Sequence, residues 1–94
     1  MMDQHHETLF QLAKEDGLAK VIEQVLEEIG ELKKVLSEKH NSNLAFGRAV
    51  TDEAADVLIT VHKLIVLFKL ESVVDAMVEY KIQRTIREKE NEYE

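Results

Sequence analysis

The sequence Thr51-Asp52-Glu53-Ala54-Ala55-Asp56-Val57-Leu58 runs directly into Ile59-Thr60-Val61-His62-Lys63-Leu64-Ile65-Val66-Leu67-Phe68, apolar at most positions. Apolar residues spread around nearly the whole circumference predict a helix buried on most sides. Glu53 and Asp56 stand three apart and so share one face of it. With Asp56 set at zero, Glu53 falls at about 60°, Thr60 at about 40° and Lys63 at about −20°. A narrow polar stripe therefore runs along an otherwise apolar rod. Dehydrating a carboxylate is costly without a partner, so something must satisfy that stripe.

The rest of the chain supplies more helices. Its 94 residues, 45% hydrophobic and 33% charged, suit one globular domain spanning 1–94. No proline and only three glycines permit long uninterrupted helices. Leu18, Val21, Ile22, Val25, Leu26, Ile29, Leu32 and Leu36 recur at three- and four-residue steps, an apolar arc of about 140° that calls for a partner helix. Gly30 on the flank of that arc would allow close helix–helix approach.

Upstream lies a short amphipathic helix with Leu9, Phe10, Leu12 and Ala13 inward. Asp16-Gly17 either ends it, with Gly17 left-handed, or kinks two continuous helices. A polar loop at Lys39–Asn43 extends toward Gly47-Arg48, with Phe46 as a packing anchor. Thr51 is the expected N-cap of the third helix. Ser72-Val73-Val74-Asp75 reads as a capping-box variant opening the last helix, whose inner line is Val74, Val78, Ile82 and Ile86. The charged residues from Glu88 onward are expected to fray. The expected fold is all-α, a bundle of about four helices over 1–16, 18–39, 50–70 and 72–90, with its core completed by oligomerisation.

Net charge is −7, from 19 acidic and 12 basic residues. That argues against a nucleic-acid phosphate binder and suits a cation binder. The absence of cysteine leaves no disulfide framework or thiolate metal site and points to a reducing cytoplasm. His5, His6 and Glu7 stand where a signal peptide would need its apolar core. Val57–Phe68 is shorter than the roughly 20 apolar residues a bilayer requires, and it contains His62 and Lys63. A soluble cytoplasmic protein is expected.

The second helix carries Glu27-Glu28-Ile29-Gly30-Glu31. Relative to Ile29, Glu28 lies at about −100°, on the margin of the apolar face, and Glu31 at about −160°. Glu27 is further round. Alone, such a cluster is common on solvated helices. Facing Glu53 and Asp56, it would make a four-carboxylate cage of the kind that hard cations such as Mg²⁺ or Mn²⁺ occupy. Without a cation the like charges would repel. Mg²⁺ is often held together with substrate phosphates, which implies a phosphorylated ligand. Lys81, Arg84 and Arg87 form a basic row on the last helix, able to grip phosphate oxygens or simply to pair with Glu88 and Glu90. His5, His6, His40 and His62 fit no ligand spacing on one helix. His62 is expected at a subunit contact or as a satisfied core residue.

Glu27-Glu28-x-x-Glu31, followed after 21 residues by Glu53-x-x-Asp56 and then by a basic last helix, resembles the MazG-like all-α nucleoside triphosphate pyrophosphohydrolases over about Leu18 to Arg87. The resemblance implies a Mg²⁺ enzyme, with Mn²⁺ as substitute. In it a water attacks the α-phosphorus to release a nucleoside monophosphate and pyrophosphate. It implies Glu28, Glu31, Glu53 and Asp56 as metal ligands, Glu27 orienting the attacking water, and Lys81 and Arg84 holding the polyphosphate. It also implies a homo-oligomer, dimer or tetramer, whose core forms between chains. The chain departs from the family in having no tryptophan to stack on a base, which leaves Phe10 or Phe46. Residues 81–87 also lack the asparagine common near this point. Two alternatives stand beside this reading. One is phosphoribosyl-ATP pyrophosphohydrolase. The other is a non-catalytic oligomerisation or partner-binding module whose acids are neutralised by Lys33, Lys63 or Lys81.

Overall fold

Gly17 sets the first corner. In the computed structural model, which describes residues 3–92, its φ of 83° and ψ of 161° lie in a region that only glycine enters readily. A 3₁₀ turn at Asp3–His5 leads into α1, His6–Asp16. The Gly17 amide donates to the Ala13 carbonyl at 2.9 Å, closing α1, and its own carbonyl accepts from Val21 at 3.0 Å, opening α2, Leu18–Ser37. The junction is a corner and not a kink.

The third helix, α3, runs Asn43–Leu67 and starts well before Thr51. Ser42, in extended conformation, accepts the Ala45 amide on its Oγ at 3.1 Å and is the actual cap. Thr51 is inside the helix, its hydroxyl donating to the Gly47 carbonyl at 2.7 Å. No proline interrupts the segment, and Gly47 in a helix interior costs only about 1 kcal/mol. The end of α3 is built on Lys69, a non-glycine residue at φ 56°. Its amide donates to Val66 and that of Leu70 to Ile65, the paired bonds of a Schellman closure.

The last helix, α4, runs Glu71–Glu92. Val74 donates to the Leu70 carbonyl at 2.8 Å, so Leu70 holds the cap position and Ser72 sits within the first turn. The expected capping box does not form. The helix continues past Lys89 to Glu92, with Arg84–Glu88 and Lys89–Glu92 pairs along its exposed face. Met1, Met2, Tyr93 and Glu94 lie outside the described residues. Among those described there are four α-helices and no strand.

α3 packs against both α1 and α2, and the buried apolar residues among those described are Leu9, Ala13, Val21 and Val66. At the same junction Lys63 is only 7% exposed. Its Nζ donates to Asp16 Oδ2 at 2.6 Å and Gln24 Oε1 at 2.7 Å, while Gln24 Nε2 donates to Asp16 at 3.0 Å. One polar knot thus ties α1, α2 and α3 together. The hydrogen bond from Lys63, with another from Gln24, holds the Asp16 carboxyl down at about 2. In the α2–α3 loop, His40 donates to the Val35 carbonyl and packs on the Phe46 ring at 5.2 Å, the anchoring role expected of Phe46.

The backbone of α4 approaches only α3. Val73, Met77, Val78, Ile82 and Ile86 remain between 44% and 60% exposed, so the expected inner line of α4 is not covered within one chain. Leu58 and Ile59 of α3 and Phe68 at its C-cap are exposed too, because two helices cannot cover a rod that is apolar nearly all round. The radius of gyration, 16.4 Å, exceeds the about 12 Å of a compact domain of this length. Gly30 has open space around it, so no neighbour within the chain uses its missing side chain. Among the described residues no helix is long and apolar enough to cross a membrane.

Candidate metal centre

The α2–α3 packing brings the two acidic motifs together. Val21, Val25 and Leu32 are covered along the length of α2, the helix that packs most extensively on α3. Glu28, at the edge of the same face, is carried to the level of Glu53 and Asp56. One carboxylate oxygen from each of Glu28, Glu53 and Asp56 lies within 4.8 Å of the other two. Opposite ligands of Mg²⁺ sit about 4.2 Å apart, so side-chain adjustment alone would close this set around an ion.

Glu53 Oε2 is buried and has no hydrogen-bond partner. Burial pushes the Glu53 carboxyl above its ordinary value, and the charges of Asp52, Asp56 and Glu31 add to that; a hydrogen bond with Glu28 works against it. Burial likewise raises Glu28, helped by Asp56, Glu53, Glu27 and Glu31. Every neighbouring charge that acts on these two groups is negative. None of the ion pairs among the described residues involves Glu28, Glu53 or Asp56. Lys63, the on-helix lysine nearest the acids in angle, is committed to Asp16 and Gln24. The donor set is hard, anionic and without a protein cation, and it fits a hard divalent ion.

The remaining site residues are placed differently. Glu31 is exposed and acts on Glu28 and Glu53 through its charge. Glu27 is exposed one residue before Glu28. Lys81 and Arg84 are exposed on α4, where Arg84 pairs with Glu88 at 3.8 Å and lies over the Tyr80 ring. Among the described residues no hydrogen bond or ion pair joins either of them to the acids.

Three features escape a reading by periodicity. Arg48, expected in a loop, belongs to α3 and lines an open groove with Asn43, Gly47, Thr51 and Asp52, the residue before Glu53. Recognising Ser42 as the cap would have placed it. His6 and His62 meet edge to face at 6.4 Å, and His6 Nε2 lies 3.8 Å from Glu71. His62 Nε2 is buried with no partner, so it is not a satisfied core histidine. The Asp16–Gln24–Lys63 knot spans three helices, and nothing in local spacing announces it.

No protein-family model matches the chain, and neither a curated protein nor a solved structure matches it.

Proposed function

We propose that this chain is a Mg²⁺-dependent nucleotide pyrophosphohydrolase, converting a nucleoside triphosphate to a monophosphate and pyrophosphate as a cytoplasmic homo-oligomer. The observation that carries the reading is the convergence of Glu28, Glu53 and Asp56 around a buried, partnerless Glu53 oxygen. These three would hold the ion, and the charge of Glu31 acts on two of them. A bound divalent ion supplies Lewis acidity and neutralises phosphate charge. The Glu27 carboxylate would orient a water by accepting its proton, next to the ligand Glu28. Lys81 and Arg84 would donate charge-assisted hydrogen bonds to phosphate oxygens. Half-burial of Glu53 limits the water that competes for the site.

The test is pyrophosphate release from a panel of standard and modified nucleoside triphosphates, with Mg²⁺ and with chelator. At least one substrate should give Mg²⁺-dependent release, lost by on the order of 10²-fold or more in Asp56→Asn with helicity unchanged. No release from any nucleotide by folded protein would overturn the reading. The uncovered apolar residues of α4 favour a second reading, a non-catalytic helical module that binds a partner. That module would show no thermal response to Mg²⁺.

A further inference from the structure

α2 has two apolar faces. One, with Val21 and Leu32, lies against α3. The other carries Ile22, Leu26, Ile29 and Leu36, each between 41% and 65% exposed, and lies about 100° round the helix. With Lys33 this outer line steps 22, 26, 29, 33, 36, alternating four and three. That is the 3.5-residue spacing at which two helices stay in contact along their whole length. We infer that a second copy of this chain covers this seam, its α2 running antiparallel about a two-fold axis near Ile29. The inference deepens the homo-oligomer reading above by naming the surface.

Charge sets the direction. From Glu23 to Glu31 the helix carries four acids and no base, and from Lys33 to Lys39 the chain carries Lys33, Lys34 and Lys39 against Glu38; Lys20, ahead of both, pairs with Asp16. Parallel pairing stacks like on like. Antiparallel pairing about Ile29 leaves Glu27 and Glu31 on the far side of the helix from the seam and sets Glu23 opposite Lys34 on one flank. Neither of those two has an ion-pair partner among the described residues of its own chain. The arrangement is self-complementary, as a two-fold interface requires. Gly30 borders the seam beside the axis, and a Cβ there would meet nothing within 4 Å, so its flank is open for a neighbouring backbone. Lys33 is the one charge in the seam, the kind of residue that fixes register and number of strands in a paired helix.

The ridge on α4 is a different surface. Val74, Val78, Ile82 and Ile86 step strictly by four, so the line drifts about 40° per step and two such helices touch only where they cross. The α2 seam offers continuous contact, on a helix already held by α3.

The chain contains no cysteine, so single introduced cysteines report on contact directly. Sedimentation equilibrium of the wild type should give twice 10.8 kDa or a higher even multiple. Under mild oxidation Ile29→Cys should cross-link to itself. Ile22→Cys and Leu36→Cys should each fail alone and cross-link when mixed. Self-cross-linking of both Ile22→Cys and Leu36→Cys would establish a parallel pair and overturn the inference, as would cross-linking of Val78→Cys in place of Ile29→Cys. A wild-type mass of one chain would overturn the homo-oligomer reading itself. Cross-linking as expected, with no pyrophosphate release, leaves this surface standing and removes the hydrolase alone.

Discussion

Replacing Glu53 by glutamine should make the metal-free protein more stable and at the same time abolish its response to Mg²⁺. The Glu53 carboxyl is raised by burial and then by Asp52, Asp56 and Glu31. A carboxyl whose folded pKa is raised opposes folding once it ionises, so its charge costs stability at about pH 7 and the cost fades as pH falls into the carboxyl range. An uncharged isostere removes that cost, and the metal-free variant should melt higher than wild type. Cation binding acts the other way on the wild type. At ten times its dissociation constant a ligand contributes RT ln 11, about 1.4 kcal/mol. For 94 residues at about 2.1 cal/mol/K each, the melting entropy is about 0.2 kcal/mol/K, so the midpoint should rise by about 7 °C. Loss of one of three carboxylate ligands should weaken binding by at least the about 10–100-fold that an outer partner commands, leaving a shift of about 2 °C or less. Scanning calorimetry with chelator and with Mg²⁺, at about pH 7 and about pH 5, reads both effects. A variant that melts below wild type in chelator, or that keeps the full Mg²⁺ shift, would refute the reasoning.

Asp16, held at about 2 against an ordinary 3.8, contributes stability that is present above about pH 4 and lost as pH falls through about 2. Urea midpoints should drop over that window, and Asp16→Asn should flatten the drop. Gly17→Ala meets nothing within 4 Å, so its cost is backbone strain alone, about 1–3 kcal/mol, read as a fall in midpoint of roughly 5–15 °C. Lys69→Gly relaxes a left-handed residue at the end of α3 and should gain about 1 kcal/mol in urea denaturation. Ser42→Ala removes the real cap of α3 and should cost about 1 kcal/mol, whereas Thr51→Ala stays within about 0.5 kcal/mol; equal losses would contradict the observed start of the helix.

Periodicity and punctuation made most of the fold legible. Gly17 marks the α1–α2 corner because no other residue adopts its backbone angles cheaply. The apolar steps from Leu18 to Leu36 give α2 almost end to end. The start of α3 was hidden because Asn41-Ser42-Asn43 reads as loop and Gly47 as a breaker, while the signal that wins is one hydroxyl accepting one amide. The packing of α4 was hidden for another reason. An apolar line states that a face needs cover, and it cannot state that the cover comes from the same chain.

The candidate site shows the same division. The spacing of Glu53 and Asp56, and the place of Glu28 on its wheel, fix angles about two helices, and these are enough to bring three carboxylates to one point. Angles cannot say which cation is free to answer them. Lys63 stands about 20° from Asp56 on the wheel of α3 and reads as a neutralising partner from the sequence. Its ammonium goes instead to Asp16 and Gln24, residues 47 and 39 positions away in the chain, which only the closed corner at Gly17 brings within reach. Lys63 also stands seven residues beyond Asp56, a rise of about 10 Å along α3, so a shared angle on the wheel does not bring its ammonium to the acids. The corner that packs α1 onto α3 holds that ammonium in the knot, and the acid cluster has no ion-pair partner among the described residues.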